Sequence, residues 1–80
     1  MHYVYLLHSI AHPDQSYVGL TRDLEQRLNA HNAGRSPHTA KHAPGKLVAS
    51  VGLASRDTAL RLEAYLKTGS GRAFARRHLW

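Results

Sequence analysis

The residue that first suggests chemistry is Glu63. Ala59, Leu62 and Leu66 recur at helical spacing, and Glu63 falls inside that apolar stripe. A carboxylate so placed must be paired, protonated or bound to a cation. Its hard oxygens suit Mg²⁺ or Mn²⁺, ions often held by one or two carboxylates while water and substrate oxygens complete the shell. The periodicity alone favours the plainer reading, a rim glutamate paired with a nearby lysine or arginine. Tyr5 and Tyr17 lie on β-type segments. Each reads either as a core tyrosine with its hydroxyl at the edge, or as a phenol that, with a metal-bound water, takes a proton from an attacking water at a phosphate. Gly19 is then small to admit a backbone or substrate, or simply ends a strand. Arg27 and His31 are four residues apart and share a helix face. Arg27 would clamp a phosphate oxygen and offset transition-state charge, unless it is an ordinary surface residue. His31 would serve as base, proton shuttle or phosphate donor, unless it is a helix-surface histidine bonded to a neighbour.

These side chains need elements to hold them. Residues 2–8 are rich in β-branched and aromatic types and read as a strand, with Tyr3, Tyr5 and Leu7 on one face and Val4 and Leu6 on the other. Pro13 and Asp14 set a turn, and residues 16–20 form the hairpin partner. Thr21 or Asp23 caps a helix over 23–33 with Leu24 and Leu28 as its stripe, and Gly34 stops it. A basic loop, 35–46, leads to a strand over 47–53 whose Leu47, Ala49, Val51 and Leu53 alternate onto one face. Ser55 caps a helix over 56–67, and Gly69 ends it. Ser70 caps a last helix over 71–79, anchored by Phe74, with Arg72, Arg76 and Arg77 on its wet side. The order β-β-α-β-α-α predicts an α+β fold: a small three-stranded antiparallel sheet flanked by helices, in one domain spanning 1–80.

Composition narrows the partners. Eleven lysines and arginines stand against five acids, a net charge of +6. Such an excess on a small domain is the footprint of a polyanion-binding surface, or of a solvated basic one. The chain has no cysteine, so neither disulfides nor a thiolate zinc site support it. His38 and His42, like His8 and His12, are four apart, but neither pair sits in a zinc-binding helix motif. No apolar run is long enough to cross a membrane, no secretion signal is visible, and a cytoplasmic protein with no obligate protein partner is expected.

The ordered set resembles the GIY-YIG nuclease superfamily. The first half-motif stands as Tyr3-Val4-Tyr5, with tyrosine where the family often has glycine, and the second as Tyr17-Val18-Gly19. An arginine on the following helix matches Arg27, a histidine one turn on matches His31, and the metal-binding glutamate matches Glu63. The likeness runs along essentially the whole chain and is nearest to the small bacterial members related to the nuclease half of the excision-repair enzyme. It implies a DNA-directed endonuclease, with a role in DNA repair, that hydrolyses phosphodiesters with one Mg²⁺ or Mn²⁺. Glu63 would be the metal ligand, Tyr17, Tyr5 or His31 the general base, and Arg27 the phosphate stabiliser. Arg35, Lys41, His42, Lys46, Lys67, Ser70, Arg72, Arg76 and Arg77 would hold the nucleic-acid backbone. RNA shares that backbone chemistry and stays open as a substrate. Two family features are absent: Leu20 stands where some members have lysine, and Ala75 lies near the place of a late asparagine. A binding module that grips nucleic acid without cutting it is the alternative.

Overall fold

The computed structural model describes residues 1–10, 12, 14–33 and 45–80. Its elements follow the expected order: β1 (His2–Ser9), β2 (Ser16–Thr21), α1 (Leu24–Asn32), β3 (Gly45–Leu53), α2 (Arg56–Leu66) and α3 (Gly69–His78). The sheet has strand order β2-β1-β3, and both pairings are antiparallel.

β1 is the central strand and is nearly all apolar, as a strand covered on both faces must be. Val4 and Leu6 point to one side and join Ala59, Leu66 and Ala75 in the main core. Helices α2 and α3 therefore cover that side, with Val18, Leu20, Ala49, Leu53 and Leu62 at the margin. Tyr5 and Leu7 are also buried, but on the opposite side, where α1 brings in His31. The sheet thus separates a packing face from a face lined by tyrosine, histidine and glycine.

The helix starts have local causes. Asp23 caps α1, its carboxylate accepting from Gln26 N–H at 3.1 Å, while Thr21 Oγ1 accepts from Asp23 N–H at 3.1 Å. Ser55 caps α2, accepting from Thr58 N–H at 3.3 Å. Ser9 organises the hairpin: its Oγ accepts from His12 N–H at 3.0 Å, and its own N–H donates to Gln15 O at 3.0 Å.

Five local expectations are corrected. α3 begins at Gly69 and is capped by Thr68, not Ser70; Thr68 Oγ1 accepts from Gly71 N–H at 3.1 Å and donates to Tyr65 O at 2.6 Å. Gly69 is consequently a helix residue rather than the stop for α2, which ends at Leu66 with Lys67 as its C-cap. Phe74 does not anchor α3: it is 41% exposed, whereas Ala75 is 1% exposed and fills the core. Leu47 does not share a face with Ala49. A register shift between Leu6 and Leu7 pairs Ala49 with Leu6 but Leu47 with Leu7, so Val48 is the extra residue of a bulge and Leu47 crosses to the tyrosine side. Lys46 is a strand residue opposite His8 rather than part of the preceding loop. Gly34, which was to stop α1, and Pro13 of the turn lie outside the described residues.

α3 lies unusually close to α2. A Cβ at Gly71 would run into the Tyr65 carbonyl and stand 2.7 Å from Leu66 Cα. Only a residue without a side chain lets the two backbones approach so nearly.

Candidate active site

The sheet register brings the two tyrosine segments together. Tyr5 stands opposite Gly19, and Leu7 opposite Tyr17. Because cross-strand partners share a face, Tyr5, Tyr17 and Gly19 all point to the α1 side. The Tyr5 ring leans across the strand over Gly19, where a Cβ would collide with its hydroxyl and Cζ and stand 2.8 Å from Tyr17 Cε1. Gly19 is therefore neither a simple strand end nor a landing place for a backbone. Its missing side chain is the space through which the Tyr5 hydroxyl reaches the β2 edge. There the two phenol rings lie with centroids 6.0 Å apart, tilted by 44°.

The Tyr5 hydroxyl is where the site's electrostatics can be read. Burial holds its pKa well above the ordinary phenol value, and the neighbouring Tyr17 phenol adds to the effect. The Arg27 guanidinium works against the rise, while a hydrogen bond to Tyr17 and the Glu63 carboxylate raise it further. Tyr17, Arg27 and Glu63, from β2, α1 and α2, are thus all within electrostatic reach of one buried hydroxyl. Tyr5 itself stays protonated at neutral pH, so its hydroxyl is available to donate a hydrogen bond.

His31 sits deeper than a surface histidine would. It is 3% exposed, its ring centroid lies 6.5 Å from that of Tyr17, and a Cβ on Gly45 would stand 2.5 Å from its Nε2. Gly45 in turn donates its N–H to Asn32 Oδ1 at 2.6 Å, which ties the start of β3 to the end of α1. Gly45 and Asn32 therefore position His31 behind Tyr17. Sequence reading missed both, since neither residue carries a periodic or motif signal of its own.

Glu63 is half-buried, and its Oε2 lies 3.6 Å from Lys67 Nζ, one helical turn on. A single carboxylate within electrostatic reach of the Tyr5 phenol suits a hard cation that keeps water and substrate ligands. Among the described residues no three His, Asp or Glu side chains cluster as a transition-metal site would require.

An open groove of about 620 Å³ adjoins Tyr17 and is lined by Lys67, Arg72, Arg76, His8 and Trp80, among others. Of the residues expected to hold a nucleic-acid backbone, Lys67, Arg72 and Arg76 meet here. Ser70 and Arg77 are exposed on α3 but do not line the groove, and Lys46 is exposed on β3. Arg35, Lys41 and His42 lie outside the described residues.

Residues 1–77 match the GIY-YIG catalytic domain. The chain belongs to the GIY-YIG family. A UPF0213 protein of Lactococcus lactis is 38% identical over 68 residues, covering 82% of this chain and 66% of that protein. Another, of Streptococcus pneumoniae, is 40% identical over 52 residues, covering 64% of this chain and 52% of its own length. The solution structure of a UPF0213 protein from Bacillus halodurans superposes with a TM-score of 0.57 at 31% identity, over 95% of this chain and 80% of that one. The chain spans about half to two thirds of the length of these two sequence relatives.

In this GIY-YIG domain the two half-motifs lie on neighbouring strands and meet at one cross-strand pair, Tyr5 facing Gly19. The position expected near a late asparagine is occupied by Ala75, which is buried against Val4, Leu6 and Leu66. An asparagine side chain there would enter the main core rather than the tyrosine face. No helix among the described residues is long and apolar enough to cross a membrane.

Proposed function

We propose that this GIY-YIG domain is a divalent-metal-dependent endonuclease acting on DNA. The observation that carries the reading is the buried Tyr5 hydroxyl reaching over Gly19 into the influence of Tyr17, Arg27 and Glu63. Those groups serve phosphodiester hydrolysis in complementary ways. Glu63 would hold Mg²⁺ or Mn²⁺, which when bound supplies charge neutralisation at the phosphate. Tyr5, kept protonated by its surroundings, donates a hydrogen bond that fixes a phosphate oxygen or the attacking water. Tyr17, at the open side of the pair, positions that water and receives its proton. Buried His31 lies behind Tyr17 and relays the proton or holds the phenol in place. Arg27 offsets the negative charge that grows on the phosphate as the water attacks.

A second reading, a module that binds nucleic acid without cutting it, draws on the Glu63–Lys67 ion pair, since an ammonium beside the carboxylate competes with a metal for it. One experiment separates the two. Labelled single-stranded, duplex, flap and branched DNA, with RNA alongside, are incubated with Mg²⁺, Mn²⁺ or EDTA and with wild type or Glu63→Ala at equal folded concentration. Mn²⁺ binding is followed in parallel by electron paramagnetic resonance. Metal-dependent cutting and Mn²⁺ binding, both absent in the variant, support the nuclease. Salt-sensitive binding with no cutting by either protein moves the assignment to the module.

A further inference from the structure

The groove beside Tyr17 contains more than positive charge. Lys67 ends α2, and Arg72 and Arg76 are one turn apart on α3, so both guanidinium groups project from the same helix face. At its wall the Trp80 ring lies on the His8 imidazole, centroids 4.4 Å apart and planes 20° from parallel. The ledge is fixed in place. Trp80 N–H donates to Ala75 O at 2.8 Å, and the Trp80 side chain packs against the main core. His8 belongs to the central strand. The groove holds one acid, Asp14, against three cations. Its volume of about 620 Å³ falls within the roughly 300–1,000 Å³ typical of sites that enclose a small-molecule-sized ligand.

We infer that this groove is a nucleotide subsite, taking the unpaired nucleotides next to the scissile phosphate. Lys67, Arg72 and Arg76 would track successive phosphates, and the Trp80–His8 ledge would stack a base. The inference rests on the nuclease reading for the place of the scissile phosphate, because Tyr17 belongs both to the candidate site and to the groove. Stacking on a fixed aromatic tolerates any base but requires that the base be out of its pair. A duplex keeps its bases stacked on each other and offers the ledge nothing. Arg77, which does not line the groove, is not part of this subsite.

The test uses the single tryptophan of the chain as its reporter. Trp80 fluorescence is followed in EDTA, which prevents cleavage, while a short oligothymidylate, an abasic phosphodiester of equal length or a blunt duplex is added. Anisotropy of labelled strands reports binding independently. Expected are saturable quenching by oligothymidylate, none by the abasic strand, and abasic binding weaker by about 5- to 150-fold, the worth of one stacked base. With single strands, each phosphate contact contributes about 0.7 to the slope of log affinity against log salt. Arg72→Gln with Arg76→Gln should therefore lower that slope by about 1.4, while Arg56→Gln, at an exposed position that does not line the groove, leaves it unchanged. Oligothymidylate binding with unchanged tryptophan emission overturns the subsite, as do equal affinities for abasic and base-bearing strands or preference for the duplex. In those cases the nuclease reading stands. Failure of every nucleic acid to bind overturns the nuclease reading with it.

Discussion

Gly19→Ala is the sharpest probe of the site, because two effects act on it with opposite signs. Gly19 has no left-handed φ, so alanine is conformationally acceptable there. On backbone grounds alone the substitution should stabilise by about 0.4–1 kcal/mol, through a less disordered unfolded chain. Against this, the new methyl group would collide with the Tyr5 hydroxyl and Cζ and stand 2.8 Å from Tyr17 Cε1. The Tyr5 ring has little room to retreat, since the residue is 3% exposed. Overpacking of this kind costs about 1–3 kcal/mol. The clash is the larger effect, and the net expectation is a loss of roughly 0–2.6 kcal/mol, the difference between those two ranges. For a domain of this size each kcal/mol moves Tm by about 4–8 °C. Urea unfolding gives the free energy, and a double-mutant cycle gives its cause. In a Tyr5→Leu background the ring end is gone, so Gly19→Ala should become neutral or stabilising, a coupling of about 1–3 kcal/mol. Equal effects in both backgrounds would refute the claim that Gly19 is kept small for Tyr5. Cleavage should fall with the displaced hydroxyl in Gly19→Ala even where the protein remains folded.

Gly71→Ala pits a methyl group against backbone rather than a ring. It should cost about 3 kcal/mol or more, a large share of the roughly 4–12 kcal/mol available to such a domain, and should show as a collapse of the thermal transition. Thr68→Ala removes a cap and a bond to the Tyr65 carbonyl and should cost about 1–2 kcal/mol, with Thr68→Ser restoring it; Ser70→Ala should leave urea stability unchanged. Tyr5 has its pKa raised in the folded state, so its contribution is complete below the unfolded phenol value near 10 and is lost as pH rises above it. By pH 11 wild type should have lost about 0.4 to 1.4 kcal/mol relative to Tyr5→Phe, the upper limit being one group at 1.36 kcal/mol per pH unit. No pH-dependent difference between the two would place the Tyr5 phenol in water. Arg27→Gln should lower kcat by about 10²–10³ with folding intact, as loss of one transition-state donor does.

What the sequence revealed depended on how local its causes were. The strand period of two separated Val4 and Leu6 from Tyr5 and Leu7 without reference to any other element, and Asp23 and Ser55 announced their helices by cap chemistry alone. Tyr5, Tyr17, Arg27 and Glu63 could be placed on their elements because each sits on a regular strand or helix whose order and length the sequence pattern marks. The bulge at Val48 was not legible, since the apolar run from Leu47 to Leu53 alternates cleanly and only pairing with β1 inserts the extra residue. Thr68 was passed over for Ser70 because both cap well, and the choice between them is made by the close approach that Gly71 allows. Gly45 and Asn32 act through space on His31, thirteen residues apart from each other, with no pattern to mark them.

The central strand explains why packing and chemistry can be altered separately in so short a chain. β1 supplies core and site by turns: Val4 and Leu6 to the α2–α3 side, Tyr5 to the site, and His8 to the ledge beneath Trp80. A shift of one residue in its register would exchange the two faces wholesale, placing phenols in the core and valine at the phosphate. Pairing on both sides, with six partners on β2 and eight on β3, opposes such a slip. It follows that substitutions along β1 should alternate in kind. Val4→Ala and Leu6→Ala should act on stability, by about 2–5 kcal/mol for the leucine. Tyr5→Phe, which keeps the ring and loses only the hydroxyl, should act on cleavage while the fold at neutral pH is retained. A strand whose alternate positions failed to divide in this way, when assayed side by side by urea unfolding and by cleavage, would contradict the two-faced arrangement on which the assignment of the site depends.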